Sequence, residues 1–227
     1  MFKKNLFSVT IILSLSLVGA NALATGYGQT LCKSEQYNCV KVQGGQSWAS
    51  LFPDPSQRMM VKKVNRMNTP LHAGMTIAVP KNLQSVTLMD LAPLPRQSEA
   101  NSIQVNLNQL AWGAYDDNGK LVNWGPVSGG KSFCPDIHRG CRTPTGTYTV
   151  LDRQGPGCIS HVFPIATHGG APMPYCMHFH GGYALHGSPT VPGFNASHGC
   201  VRLFTEDAKW LNHEFVNVGS TRVKIVR

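Results

Sequence analysis

The sequence predicts a mostly β protein with one or two helices, preceded by a small strand–helix–helix–strand (βααβ) module. Residues 103–108 alternate apolar and polar side chains, which is the period of a half-buried strand. Asn118-Gly119 is the strongest short signal for a hairpin turn, and residues 222–226 have the composition of a further strand. Apolar residues recur at helical spacing in residues 59–67, within the module, and again in residues 205–215.

The first residues have the features of a secretory signal peptide, residues 1–24. Lys3 and Lys4 precede an apolar stretch at residues 6–18, and Ala22-Leu23-Ala24 provides the small side chains of a cleavage site. Thirteen apolar-leaning residues are too few for a membrane anchor, which needs about 20. We therefore predict an exported protein that has no integral membrane segment after the signal is cleaved.

The charge of the chain is unevenly distributed. The formal net charge is +9. Residues 25–81 contain seven basic and two acidic side chains, whereas residues 101–227 contain ten and seven. A basic module indicates an anionic partner. Because an exported protein rarely meets nucleic acid, we predict no nucleic-acid partner and expect a carboxylate-rich cell wall instead.

Seven cysteines in an exported protein indicate disulfides, and the odd count leaves one thiol unpaired. Sequence alone leaves the connectivity open. Short local pairs are the simplest arrangement, and we expect three of them, Cys32–Cys39, Cys134–Cys141 and Cys158–Cys176. Cys200 is then the unpaired residue. Its alternative role is that of a buried thiol that packs as a small hydrophobic side chain.

Residues 38–81 are predicted to form one module. Strand-like residues 39–42 and 76–79 enclose two helices, of which Ser47 can cap the first. Gly44-Gly45, together with Asn65 and the Gly-Met-x-Ile-x-Val-Pro ending, resembles the LysM domain, a compact glycan-binding module.

Two features depart from the LysM pattern. Gln46 stands where that family usually has an acid, and Pro53-Asp54-Pro55 interrupts the first helix. A small packed subdomain without a ligand is the alternative, because a fold alone does not establish a function. Residues 82–100, with Pro93 and Pro95, are predicted to be a linker or an extended connection.

Chemistry is concentrated in residues 184–189 and 197–202, which read Ala-Leu-His-Gly-Ser-Pro and Ser-His-Gly-Cys-Val-Arg. A cysteine attacks an amide only as the thiolate, so it needs a nearby base or cation. His186 and His198 are both close in sequence to Cys200. The backbone N–H groups of Gly199 and Cys200 are candidate donors to an oxyanion.

These two segments resemble the signature of the YkuD-type L,D-transpeptidase catalytic domain. Residues 142–148 resemble the family's Thr-Pro-x-Gly segment, and residues 174–187 resemble the segment leading into its catalytic histidine. The resemblance covers about residues 101–227 and implies a YkuD-like β-rich catalytic domain.

The resemblance also implies roles for individual residues. Cys200 is implied as the nucleophile and His186 as its base, with the Gly187 carbonyl orienting the imidazole. Arg202 is placed to hold a substrate carboxylate, and His198 is expected to shape the site. Three further residues, which follow, are expected to line the substrate site: Tyr175, Tyr183 and Ser197.

The implied reaction is attack on the third-residue carbonyl of a peptidoglycan tetrapeptide stem, release of D-alanine and acyl transfer to an amine, without a cofactor. Peptidoglycan stems and glycan are the implied partners, and the periplasm or cell envelope is the implied location. The sequence leaves open the oligomeric state and the acceptor, so L,D-carboxypeptidase and lipoprotein-attachment activities are alternatives. Only ten residues separate His186 from Ser197, which predicts a trimmed substrate lid.

Two alternatives from other functional classes are open. Cys176, His178 and His180 alternate along a predicted strand. They could hold zinc together with residues of segments 184–189 and 197–202, namely His186, His198 and Cys200. The spacing matches no common zinc pattern, so we predict no metal site. A non-catalytic cell-wall-binding protein is the second alternative, against which the intact His186 and Cys200 argue.

The helix after the catalytic segment has its own signals. Thr205 can cap it, and Glu206 and Asp207 favour its positive end.

Overall fold

A computed structural model of the protein describes residues 26–227. The predicted signal peptide, residues 1–24, lies outside the described residues. No helix within residues 26–227 combines the length and apolar composition needed to cross a bilayer. The fold is mostly β with few helices, which confirms the predicted fold class.

The N-terminal module contains a strand, two helices and a strand in the predicted order, with one additional helix in front of them. The elements are α1 (Tyr27–Leu31), β1 (Tyr37–Lys41), α2 (Trp48–Leu51), α3 (Pro55–Val64) and β2 (Thr76–Pro80). β1 and β2 pair antiparallel as a two-stranded sheet. The glycan-binding assignment of this module remains a prediction.

Local hydrogen bonds explain the shape of the module. Ser47 caps α2 through a capping box with Ser50. The buried side chain of Asn65, at the end of α3, donates to the Ala78 carbonyl at 2.7 Å and accepts from the Ala78 amide at 2.8 Å. The last turn of α3 is therefore fixed to strand β2.

Residues 82–100 lie against the larger domain. They contain a short 3-10 helix, Met89–Leu91, and Leu94 is buried. Trp124 Nε1 donates to the Leu88 carbonyl at 2.7 Å, and the Tyr115 hydroxyl donates to the Pro95 carbonyl at 2.9 Å. This segment is an extended connection that covers one face of the sheet.

The larger domain is built on one nine-stranded sheet. Its strands are β3 (Ser102–Asn106), β4 (Ala111–Tyr115), β5 (Leu121–Ser128), β6 (Gly146–Thr149), β7 (Asp152–Arg153), β8 (Met177–His180), β9 (Tyr183–Gly187), β10 (Val201–Leu203) and β11 (Arg222–Val226). Short 3-10 helices occur at Pro135–Ile137 and Ile165–Thr167.

The strand order is β6-β11-β3-β4-β5-β10-β9-β8-β7. Two neighbouring pairs, β3 with β11 and β9 with β10, are parallel, and the others are antiparallel. The ring of Tyr148, on edge strand β6, lies 5.3 Å from the ring of Phe179 on β8. The sheet therefore curls until strands from its two ends are in contact.

The helix after the catalytic segment, α4 (Thr205–Trp210), continues as one π turn, Leu211–Phe215, and buries Ala208 and Leu211 in the core. The prediction that Thr205 caps this helix is wrong. Thr205 is its first residue, and Phe204, at the cap position, offers no side-chain hydrogen bond. The predicted start of the helix is off by one residue, an uncertainty that is common at helix ends.

The module and the larger domain are joined through buried cations. Lys63 Nζ lies 2.7 Å from Asp207 Oδ1, and both side chains are buried. The guanidinium of Arg66 lies 4.7 Å from the ring centre of Tyr27 and 4.9 Å from that of Trp124. Two of the seven basic residues counted in residues 25–81 are thus buried inside the protein and do not contribute to an exposed basic surface.

Candidate active site

The two strands that carry the cysteine–histidine segments are neighbours in the sheet. β9 and β10 run parallel, and Arg202 is opposite His186 while Val201 is opposite Leu185. Cys200 directly precedes β10 in the chain. The fold therefore brings together the two sequence segments that were predicted to hold the nucleophile and its base.

His186 is buried, and its ring orientation is fixed by a backbone acceptor. Its Nδ1 atom lies 2.9 Å from the carbonyl oxygen of Gly187. A carbonyl oxygen only accepts hydrogen bonds, so Nδ1 carries the proton and Nε2 keeps its lone pair. Burial lowers the pKa of His186 to about 4, against the opposing effect of the hydrogen bond to Gly187. His186 is therefore a neutral imidazole at pH 7.

Gly187 is held where a larger residue would not fit. A Cβ atom there would lie 3.0 Å from Thr205 Cα and 3.1 Å from the Pro174 carbonyl oxygen. Its amide donates to that same carbonyl at 2.8 Å. The beginning of α4 and the segment before β8 thus fix the carbonyl that orients His186.

Cys200 is the one free cysteine within residues 26–227, and it is half-buried. Its Sγ atom lies 3.6 Å from the carbonyl oxygen of Gly182. Burial raises the pKa of the thiol, although a backbone hydrogen bond from Ala184 and the positive charge of Arg202 act in the opposite direction. Cys200 therefore rests as a thiol and needs a base to become a nucleophile.

The other six cysteines form the three expected pairs. The structure contains disulfides between Cys32 and Cys39, Cys134 and Cys141, and Cys158 and Cys176. The predicted pairing is confirmed.

The turn that presents Cys200 requires glycine at position 199. Gly199 has φ of +126°, and a Cβ atom there would lie 2.5 Å from Cε1 of Tyr183. L-residues rarely adopt this backbone conformation. The ring of Tyr183 therefore lies directly against the turn that presents Cys200, and its expected role in lining the substrate site remains a prediction.

Two hydroxyl groups hold this turn from below. Thr143 Oγ1 donates to the Gly199 carbonyl at 2.7 Å and accepts from the Gly130 amide at 2.9 Å. Ser197 Oγ donates to the Cys200 carbonyl and accepts from the Gly199 amide at 3.0 Å. Ser197 thus supports the turn from inside.

The Gly199 amide is therefore already used, and of the two predicted oxyanion donors the Cys200 amide remains the stronger candidate. The buried Thr143 was given no role from the sequence. Its position in the Thr-Pro-x-Gly segment was the available signal.

His198 is directed away from the base position. Its Nε2 atom lies 2.8 Å from Asp136 Oδ2, and its ring lies 4.6 Å from that of Phe163. The hydrogen bond with His198 lowers the pKa of Asp136. These contacts connect the catalytic turn to the loops closed by two of the disulfides, which fits the expected shaping role of His198.

Arg202 provides a cation beside Cys200. Its Nη1 atom lies 3.4 Å from the Thr190 carbonyl oxygen, and no carboxylate within residues 26–227 forms an ion pair with it. Burial lowers the pKa of Arg202, and the cation stays charged at pH 7.

Tyr175, which was expected to line the substrate site, packs against His213 of the π turn, with ring centres 5.6 Å apart. Its contact is therefore with the helix side of the site.

The residues of the zinc alternative have other partners. Cys176 is in a disulfide, His178 Nδ1 lies 2.8 Å from Asp152 Oδ1, and the ring of His180 lies 4.9 Å from that of Tyr148. Cys134, Asp136 and His198 also cluster, but a disulfide sulfur is not the thiolate that zinc binds.

Comparison with known proteins agrees with this geometry. The family of the YkuD L,D-transpeptidase catalytic domain matches residues 100–225, which is over half of the chain. A crystal structure of an L,D-transpeptidase from Xylanimonas cellulosilytica is 26% identical, with a TM-score of 0.54, over 74% of this chain and 77% of that one. No match is found among curated protein sequences.

Two further crystal structures are more distant. An L,D-transpeptidase from Mycobacterium tuberculosis is 24% identical, with a TM-score of 0.44, over 56% of this chain and 57% of that one. An L,D-transpeptidase from Stackebrandtia nassauensis is 23% identical, with a TM-score of 0.45, over 58% and 59%. The chain thus spans under two thirds of the length of these two relatives. From the family match over its larger domain, the chain belongs to the YkuD family of L,D-transpeptidase catalytic domains and is an enzyme of that class.

Proposed function

We propose that the protein is an exported peptidoglycan L,D-transpeptidase in which Cys200 is the nucleophile and His186 its general base. The observation that carries this proposal is the fixed tautomer of His186. Its Nδ1 proton is committed to the Gly187 carbonyl, which leaves Nε2 as a buried, neutral proton acceptor on the strand next to Cys200.

The first half of the reaction is acylation. His186 Nε2 takes the thiol proton of Cys200, and the thiolate adds to the third-residue carbonyl of a tetrapeptide stem. The tetrahedral oxyanion accepts a hydrogen bond from the Cys200 amide. The carbon–nitrogen bond to D-alanine then breaks, the imidazolium gives its proton to the leaving amine, and a thioester on Cys200 remains.

The second half is acyl transfer. An amine of a neighbouring stem attacks the thioester, His186 takes the amine proton, and the thiol of Cys200 is restored as the 3-3 cross-link forms. Water in place of the amine makes the enzyme an L,D-carboxypeptidase, and a lipoprotein amine makes it an attachment enzyme. The amine acceptor is preferred because the family match is to transpeptidases.

Arg202 and Tyr183 supply substrate contacts. The guanidinium of Arg202, which lacks a carboxylate partner within the described part of the chain, is available to a carboxylate of the donor stem. Tyr183, packed on Gly199, forms the wall beside the reacting sulfur.

The N-terminal module is assigned to the glycan of the same wall, on its LysM-like pattern. The alternative is a packed subdomain without a ligand. With Lys63 and Arg66 buried, the case for an anionic partner rests on the remaining basic residues. Cell-envelope location follows from the signal peptide predicted at residues 1–24.

Product analysis by mass spectrometry, after incubation with purified tetrapeptide muropeptides, tests the reaction. We expect dimers joined between third residues, with free D-alanine, and neither product from Cys200→Ala. Tripeptides alone at high acceptor concentration would reassign the enzyme as an L,D-carboxypeptidase. Unchanged tetrapeptides would leave a wall-binding role without this activity.

A further inference from the structure

We propose that Asn68, in the N-terminal module, is a positioning residue for Arg202. It acts through the loop that follows His186, so the substrate-carboxylate subsite is built by both parts of the chain. This inference rests on the proposed function, because it concerns how Arg202 meets a carboxylate beside Cys200.

Asn68 contacts the loop between the two catalytic segments at three points. Its Nδ2 atom donates to the Ser188 carbonyl at 2.8 Å, and its Oδ1 accepts from the Val191 amide at 2.9 Å. Its own amide donates to the Val191 carbonyl at 2.9 Å, and Met67 forms an isolated bridge with Pro192. The loop is thereby paired with the module much as one strand is paired with another.

The contact continues from this loop to Arg202. Thr190 lies between the two residues that Asn68 binds, and its amide donates to Ser188 Oγ at 3.1 Å. The carbonyl oxygen of Thr190 is the acceptor for Arg202 Nη1. Thr190 itself is exposed, so its position depends on its neighbours, of which Val191 is fully buried. Releasing Asn68 frees the carbonyl that orients the guanidinium.

The module is anchored firmly enough to act in this way. Lys63 is paired with Asp207, and Arg66 donates to the carbonyl of Gln109 at 3.0 Å as well as to two carbonyls at the end of α3. Lys63 and Arg66 lie five and two residues before Asn68 in the chain. The N-terminal module therefore holds the ten-residue loop between His186 and Ser197. This is the loop that the sequence predicts to be a trimmed substrate lid.

The test uses Cys200 alkylation, which does not depend on peptidoglycan turnover. Iodoacetate carries a carboxylate and iodoacetamide does not, so the ratio of their rates with Cys200 measures a positioned cation beside the sulfur. We expect Asn68→Ala to lower this ratio toward that of Arg202→Gln, by roughly five- to tenfold, the factor given by the loss of about one hydrogen bond's free energy. Asn82→Ala, at an exposed asparagine in the connecting segment, is the control.

With muropeptides, Asn68→Ala should raise KM for the tetrapeptide donor by a similar factor and leave kcat near the wild-type value. Asn68→Asp keeps the acceptor for the Val191 amide and should give an intermediate ratio of the iodoacetate and iodoacetamide rates. This variant also tests the inference if Asn68→Ala does not fold. An unchanged reagent ratio, or equal slowing with both reagents, would overturn the inference. If Asn68→Ala lowers the reagent ratio but the wild-type protein does not turn over muropeptides, the proposed reaction fails and the positioning role stands.

Discussion

The ammonium group of Lys63 lies 2.7 Å from Asp207 Oδ1 in a buried ion pair between residues 144 positions apart in the chain. Lys63 is in the last turn of α3, and Asp207 is in the first turn of α4, the helix that follows β10. The pair therefore joins the N-terminal module to the element that supports Gly187 and, through it, His186.

Removing one partner of this pair should be costly. Lys63→Met leaves the Asp207 carboxylate buried without its cation, and we expect the free energy of unfolding at pH 7 to fall by about 3–5 kcal/mol. Burial raises the pKa of Asp207, and the Lys63 ammonium opposes this rise, so in Lys63→Met the pKa of the carboxyl should rise further. The deficit of Lys63→Met should therefore be smallest near pH 4 and grow as the pH rises.

Urea unfolding measures this, with Lys62→Met as the control because Lys62 is only partly buried. Lys63→Met/Asp207→Leu, which removes both charges, should recover much of the loss. Equal free energies of unfolding for Lys63→Met and Lys62→Met would mean that the Lys63–Asp207 pair is dispensable.

His186→Ala should slow acylation of Cys200 by roughly two to four decades, the usual cost of losing a general base. His198→Ala should cost less, because the His198 side chain is paired with Asp136 and its ring packs against that of Phe163. Single-turnover acylation, followed by intact mass, compares the two variants. The reverse ranking would transfer the base role to His198.

The acid limb of the pH profile should lie low. Because burial lowers the pKa of His186 to about 4, from an ordinary value of 6.5, its neutral form persists as the pH falls. Acylation should decline only as the pH passes through about 4, where the imidazole becomes protonated and can no longer accept the thiol proton. Acylation rates between pH 3 and pH 8, with circular dichroism to verify folding, test this, and an inflection near the ordinary histidine value would contradict it.

Gly199→Ala should reduce acylation by about tenfold or more, since a non-glycine residue at positive φ costs about 1–3 kcal/mol. The added Cβ must also displace the ring of Tyr183. Gly157→Ala is the matched control, because no heavy atom outside Gly157 and its two chain neighbours lies within 4 Å of its Cβ position. Similar acylation rates in the two variants would show that the turn tolerates a side chain.

Under non-reducing conditions, the intact mass should fit three disulfides, and one alkylation should map to Cys200. Labelling should be slow at pH 7, because burial raises the pKa of this thiol. Peptide mapping after alkylation of the folded protein measures both. Label at Cys134 or Cys176 would disprove the pairing.

Local patterns were readable from the sequence because they depend on neighbours in the chain. The βααβ order and the β-rich larger domain follow from residues close in sequence or from period, and the expectation of short local cysteine pairs was met although the sequence left the connectivity open. The family resemblance implied that His186 and Cys200 act together, but no local rule predicts that β9, which contains His186, pairs in parallel with β10, which directly follows Cys200.

Long-range partners were not readable. Asp207 has the position of a residue that favours a helix N-terminus, but it serves as the partner of Lys63. Arg66 counted toward a basic surface, yet it lies buried between two aromatic rings. The Gly199 amide was a predicted oxyanion donor, but it donates its hydrogen bond to the hydroxyl oxygen of Ser197. In each case the partner of the group depends on the tertiary structure, which the charge of a residue and the hydrophobic period of its segment do not specify.

The three disulfides each join a cysteine to the next one in the chain. A polypeptide that crosses a membrane from its N terminus exposes every such cysteine directly before its partner. Pairing in the order of emergence then gives the native connectivity without reshuffling. In the export that we propose, Cys200 emerges last, after the six others have been able to pair, so the order of cysteines along the polypeptide disfavours oxidation of the proposed nucleophile into a wrong pair.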